Sequence, residues 1–138
     1  VMDFANGAIG TIITSFDVWA HTLPCIEIHG TQGSMQVPDP NCFGGPIKVK
    51  RPDHEEWREI PLSHPYGETS RGLGVAALAH AIQTNQPHRA SGDLAYHVLD
   101  AMYAFLESGE AGAHLELASG VQRPTPLPMG LTEGTVAI

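Results

Sequence analysis

Positive charge is scarce in this sequence. Lys48, Lys50 and five arginines stand against fifteen acidic residues, for a formal net charge of −8. A surface that tracks nucleic-acid phosphates needs clustered cations, so no nucleic-acid partner is expected. Cysteine is scarcer still. Cys25 and Cys42 are too few for a disulfide framework and form no C-x-x-C half of a zinc site, which points to a reducing compartment, the cytoplasm. No apolar run approaches the length of a membrane span, and no basic-then-apolar leader opens the chain, so no membrane partner is expected. An internal repeat is also lacking. There is no initiator Met: Val1-Met2-Asp3-Phe4 reads as the inside of a strand, and the expectation is an N-terminus cut from a longer chain.

What the 138 residues do contain fits one domain, able to bury roughly two thirds of its unfolded surface. The first half reads as strands over 1–5, 9–18, 25–29, 35–37, 47–50 and 57–62. Asn6-Gly7 between apolar runs is a strong hairpin signal, and Gly30-Thr31-Gln32-Gly33 supplies positive-φ positions for a second turn. Ile47-Lys48-Val49-Lys50 alternates, which gives one wet and one buried face. Two helices follow. Val75, Leu78, Ala79 and Ile82 share one helical face, as do Leu94, Val98, Ala101 and Phe105. Ser91 is the expected N-cap of the second helix, with Asp93 in its first turn and Gly109 near its end. His114-Leu115-Glu116-Leu117 is a candidate last strand, and residues 129–138 form an extended tail. The fold class expected is α+β, an open, mostly antiparallel sheet with helices packed on one face. Both faces of 9–19 carry large apolar groups, which predicts burial on two sides, most simply against a second copy through the sheet face.

Chemistry-bearing motifs are few. Gly72-Leu73-Gly74-Val75-Ala76-Ala77 has the letters G-x-G-x-x-A, but a polar, turn-like stretch precedes it where a dinucleotide site needs a buried strand. It reads as a glycine-containing helix start, and no cofactor-binding residue is assigned. Eight histidines raise the question of a metal, yet His80 and His97, the two expected on helices, have no ligand partner at i+4 and the other six are scattered, so no metal ligand is assigned. No G-x-S-x-G elbow or other sign of an activated serine is present. His88 and Arg89, in a helix–helix connector stiffened by Pro87, are placed to meet an anionic or hydroxylated ligand, or to tie the connector to a carbonyl or carboxylate. Trp19, His21, Tyr66 and Arg71 stand at strand ends or loop exits, where a sheet presents groups to a ligand.

The strands, the Gly-Thr-Gln-Gly-Ser turn running into Pro-Asp-Pro-Asn, and the Pro-His-Arg-Ala-Ser-Gly connector before an Ala-Tyr-His-Val-Leu-Asp helix carry a likeness. Over residues 1–128 the chain resembles the C-terminal domain of the glucose-fructose oxidoreductase/inositol dehydrogenase/MocA-like oxidoreductases. Members join an upstream Rossmann domain, holding NAD or NADP, to an α/β domain whose open sheet shapes the substrate pocket and often mediates oligomer formation. The resemblance implies a parent that oxidises or reduces a sugar, polyol or related hydroxyl compound, and a homo-oligomer. It implies a substrate-wall role for Trp19, His21 and Arg71, beside the connector pair His88 and Arg89. The family's Glu-Lys-Pro motif, which belongs to the nucleotide domain, and its Asp/His motif are absent, so no catalytic residue is carried over and the chain alone is expected to be inactive. The competing expectations are a structural module that assembles through its sheet without touching substrate, and a histidine-based metal protein.

Overall fold

The computed structural model describes residues 1–64, 66–68, 71–132 and 135. Residues 65, 69 and 70 of the approach to the first helix, and 133, 134 and 136–138 of the expected tail, lie outside the described residues.

The N-terminal hairpin forms where Asn6-Gly7 demands it. Strands β1 (Met2–Asp3) and β2 (Ile9–Gly10) pair antiparallel, with Met2 opposite Gly10. Gly7 takes φ 85°, and the Asn6 side-chain carbonyl accepts from the Ala8 backbone N–H at 3.1 Å. A four-stranded antiparallel meander follows: β3 (Ile26–Gly30), β4 (Gly33–Val37), β5 (Ile47–Lys50) and β6 (Arg58–Ile60), paired in chain order. Its first turn is the expected one, with Gly30 opposite Gly33 and Ile28 opposite Met35. Along β5, Ile47 and Val49 are half-buried while Lys48 and Lys50 are exposed, as the alternation requires.

Helices α1 (Leu73–Thr84) and α2 (Gly92–Ala111) complete an α+β fold with an open sheet. The G-x-G-x-x-A letters belong to the start of α1, with Gly72 at its N-cap and no strand among the described residues between β6 and the helix. Ser91 caps α2 by accepting the Leu94 N–H at 3.1 Å, Asp93 complements the positive helix end, and Gly112 in the left-handed region closes the other end, three residues past Gly109. Ser91→Ala should weaken the first turn of α2 by about 1 kcal/mol. Faster amide exchange at Asp93 and Leu94, with the end of the helix unchanged, is the expected reading.

Two expectations differ from what the chain does. Residues 11–19 do not continue β2; they run without a strand partner, with Ile13 76%, Phe16 107% and Trp19 104% exposed. A strand exists only where another backbone accepts its hydrogen bonds, and among the described residues none lies beside this segment as a ladder. His114-Leu115-Glu116-Leu117 likewise forms no strand, although the His114 imidazole lies 3.0 Å from the Asp3 carboxylate of β1. The helices also turn unexpected sides inward. On α1, Ala81 is buried and Leu73, Ala76, Ala77 and His80 are half-buried, while Val75 and Ile82 stand more than 70% exposed. On α2, Leu94, Ala101 and Phe105 are half-buried as expected, but Val98 is exposed, and so is the row Tyr96, Leu99, Tyr103 and Leu106. No helix Cα comes within 8 Å of a strand Cα.

The accessible surface is therefore large. It is 11449 Å², about 4,500 Å² more than a compact monomer of this mass presents. Among the described residues the best-buried side chain is Tyr66 at 3% exposure. Its hydroxyl donates to the Thr135 carbonyl, while the Gly130 N–H donates to the Ser63 carbonyl at 3.2 Å, so Gly130 and Thr135 are tied to the lead-in to α1.

Candidate functional site

The turn between the helices builds a cavity. Helix α1 ends on Asn85 at φ 53°, ψ 43°, and the Gln86 N–H returns to the Ala81 carbonyl at 2.9 Å, which stops the helix and reverses the chain. Pro87 stiffens the next step, and Ser91 starts α2. Opposite the connector runs the segment 120–125, which is pinned at both ends. At one end Arg89 donates from Nε to the Thr125 carbonyl at 2.8 Å and from Nη2 to the Pro126 carbonyl at 3.4 Å. At the other, the Ser119 N–H and Oγ–H both donate to Asp100 Oδ2 of α2, at 3.1 and 2.6 Å. Between connector and strap lies a cavity of about 710 Å³, within the usual size of small-ligand sites. His80, His88, Arg89, Ser91, Asp93 and Arg123 are among its polar lining groups. The His80 Nε2 atom is buried and has no hydrogen-bond partner.

The strap's pin at Ser119 brings together a histidine, a serine and an aspartate. His97 Nδ1 lies 2.8 Å from Ser119 Oγ, which is itself 2.6 Å from Asp100. The order of donation decides what this group can do. With the serine proton given to Asp100, His97 must donate to Ser119, whereas a serine nucleophile needs the imidazole to accept its proton. The trio is a clasp, not a nucleophilic site.

Its electrostatics follow from the same bonds. The Ser119 hydroxyl and then the Ser119 backbone N–H hold the Asp100 carboxyl below its usual range, aided by His97 and opposed by partial burial. A depressed carboxylate contributes stability that is complete above its unfolded pKa, about 3.9, and is lost as pH falls through the lower folded value. The strap should therefore stay clasped at neutral pH and come free in acid below about pH 4. Asp100→Asn should release it at pH 7, and limited proteolysis cutting at 113–125 in the variant but not the parent is the expected result.

The other residues singled out in the sequence lie elsewhere. Trp19 and His21 are exposed on the unpaired segment, and neither lines the cavity. Arg71 precedes α1 and donates from Nη2 to the Asn41 side-chain oxygen at 3.0 Å, tying the lead-in to the β4–β5 loop. His88 and Arg89 are the two expected ligand residues that the fold brings to one place, with Arg89 bonded to carbonyls. Sequence reasoning missed His80, Asp93 and Arg123 as lining groups, and the clasp as a whole. The i, i+3 spacing of His97 and Asp100 on an amphipathic helix was the available signal for the clasp. Among the described residues, no group of three or more histidine, cysteine or acidic side chains is arranged to hold a metal ion. Cys25 and Cys42 are free and exposed, and no described helix is long and apolar enough to cross a membrane. In comparisons with protein families, curated proteins and solved structures, nothing matches this chain.

Proposed function

We propose that this chain is the C-terminal substrate-binding and oligomerisation domain of an NAD(P)-dependent oxidoreductase acting on a sugar, polyol or related hydroxyl compound. The observation that carries the reading is the uncovered apolar surface. Phe16, Trp19 and the outer rows of both helices lie in solvent on a surface about 4,500 Å² too large for a compact monomer. Surface of that extent and composition is completed by other protein. An upstream Rossmann domain and a second copy across the sheet face are the covers that the resemblance supplies. In the parent a hydride passes between nicotinamide and a carbinol carbon, and this domain orients the substrate and excludes water. NAD or NADP belongs to the parent's other domain, and no residue of this chain is assigned a catalytic role. Trp19, His21 and Arg71, and separately His88 and Arg89 at the connector, are the proposed substrate contacts. A cytoplasmic setting suits the two free thiols.

A second reading, an assembly module without substrate contact, gains support from Arg71 and Arg89, both of which bond to groups of their own chain. The experiment that separates them is the mass of the natural product, detected with an antibody to this domain, followed by assay of polyol-dependent NAD(P) reduction. A product larger by about 100–200 residues, one extra domain, that reduces the nucleotide supports the oxidoreductase. A product near 14.7 kDa removes it in favour of assembly.

A further inference from the structure

We infer that the cavity beneath the 120–125 strap is a binding site for a small polyhydroxylated monocarboxylate. The argument rests on charge, hydrogen-bonding inventory and preorganisation, and it does not need the oxidoreductase reading.

Charge comes first. Two of the chain's five arginines, Arg89 and Arg123, line one cavity in a protein of net charge −8. Asp93 opposes them, so among the described residues the fixed side-chain charge in the lining is one positive unit, suited to a monoanion and poorly matched to a phosphate dianion. Arg89 is already bonded to the Thr125 and Pro126 carbonyls, whereas Arg123 is exposed on the strap, a planar fork that can take a carboxylate through two parallel bonds.

The rest of the lining reads hydroxyls. His80 contributes its imidazole ring to the lining, although its unpartnered Nε2 is itself sealed from solvent. Gln86, His88, Gln122 and Asp93 add donors and acceptors, while Ala77, Ala81 and Leu94 offer apolar surface for the C–H face of a carbon chain. A ligand carrying several hydroxyls and one carboxylate uses both sets.

The walls are also held in place beforehand. Ser119 and Thr125, at either side of the strap, are fixed by the Asp100 clasp and by Arg89, so a ligand entering under residues 120–124 meets a roof that needs little further ordering.

The test is a titration of the isotope-labelled chain with sodium gluconate, following the imidazole resonances of His80 and His88 by NMR. Sorbitol and inorganic phosphate serve as comparison ligands. Saturable gluconate binding that perturbs His80, weakens at least about tenfold in Arg123→Ala and is about tenfold weaker for sorbitol supports the site. His80→Phe should weaken it as well. If that buried change unfolds the chain by circular dichroism, the exposed Arg123→Ala decides alone. No saturable binding, phosphate binding as tight as gluconate, or gluconate affinity unchanged in Arg123→Ala overturns the proposal.

Discussion

Sedimentation of this chain at micromolar concentration should show species heavier than 14.7 kDa, and replacing Phe16 and Trp19 together with serine should shift the population toward the monomer. Both side chains are fully in solvent, and burying each is worth about 2–3 kcal/mol. They also sit on an unpaired backbone. Residues 11–19 present N–H and C=O groups that no described strand satisfies, next to β2, which is already extended, so a second chain can add both hydrogen bonds and apolar cover. The segment bends at 16–17 and again at 19, so it has no alternating faces, and the double substitution removes its two most exposed aromatic side chains. Both helices lie outside this segment, α1 closed by Asn85 and α2 capped by Ser91 and Gly112, so helical circular dichroism should be unchanged. A parent chain that sediments as a 14.7 kDa monomer and binds no apolar dye would contradict the idea that this surface awaits a partner.

The elements that could be read from the sequence are those fixed by neighbours in the chain. Asn6-Gly7 and Gly30-Thr31-Gln32-Gly33 fix their own turn geometry, and a turn sets the register of the strands it joins. Ser91 and Asp93 define the start of α2 because a cap acts within one turn. Residues 11–19 and 114–117 were harder for a stated reason. Their alternation suits a strand, but a strand also needs a second backbone, and periodicity carries no information on whether one is within reach. Helix α1 shows the same limit. Its large residues Val75, Leu78 and Ile82 mark an apolar face, yet the side the chain turns inward is the small one, with Ala77 and Ala81, which lines the cavity beneath the strap. The cavity was legible in part. Pro87-His88-Arg89 was visible as a connector whose arginine either meets a ligand or ties to a carbonyl, and Arg89 makes the carbonyl tie; the wall opposite comes from residues more than thirty positions away, as the bond from Arg89 to Thr125 shows. The clasp depends on the same return of the chain, which brings Ser119 back to Asp100.

Gly33→Ala should be the most damaging single change in the sheet, lowering stability by about 3 kcal/mol and the melting temperature by roughly 10 °C. Gly33 opens β4 at φ 151°, a conformation that side-chain-bearing residues rarely adopt. A Cβ there would press against the Lys50 carbonyl oxygen and lie within 3.4 Å of the Arg51 Cα. Both are backbone atoms, so no rotamer change relieves the contact; β4 and β5 would have to separate where Ser34 pairs with Lys50. That pairing holds β3 and β4 to β5 and β6, so the damage should spread through the meander. Gly7 provides the control. It too has positive φ, 85°, but a Cβ there meets nothing within 4 Å. Gly7→Ala should cost only the backbone strain, about 1–2 kcal/mol. Thermal melts of the two variants beside the parent separate steric conflict from conformational preference: equal losses would mean that the Lys50 carbonyl yields freely, and a Gly33→Ala melt within about 2 °C of the parent would rule out a sheet built around this close approach.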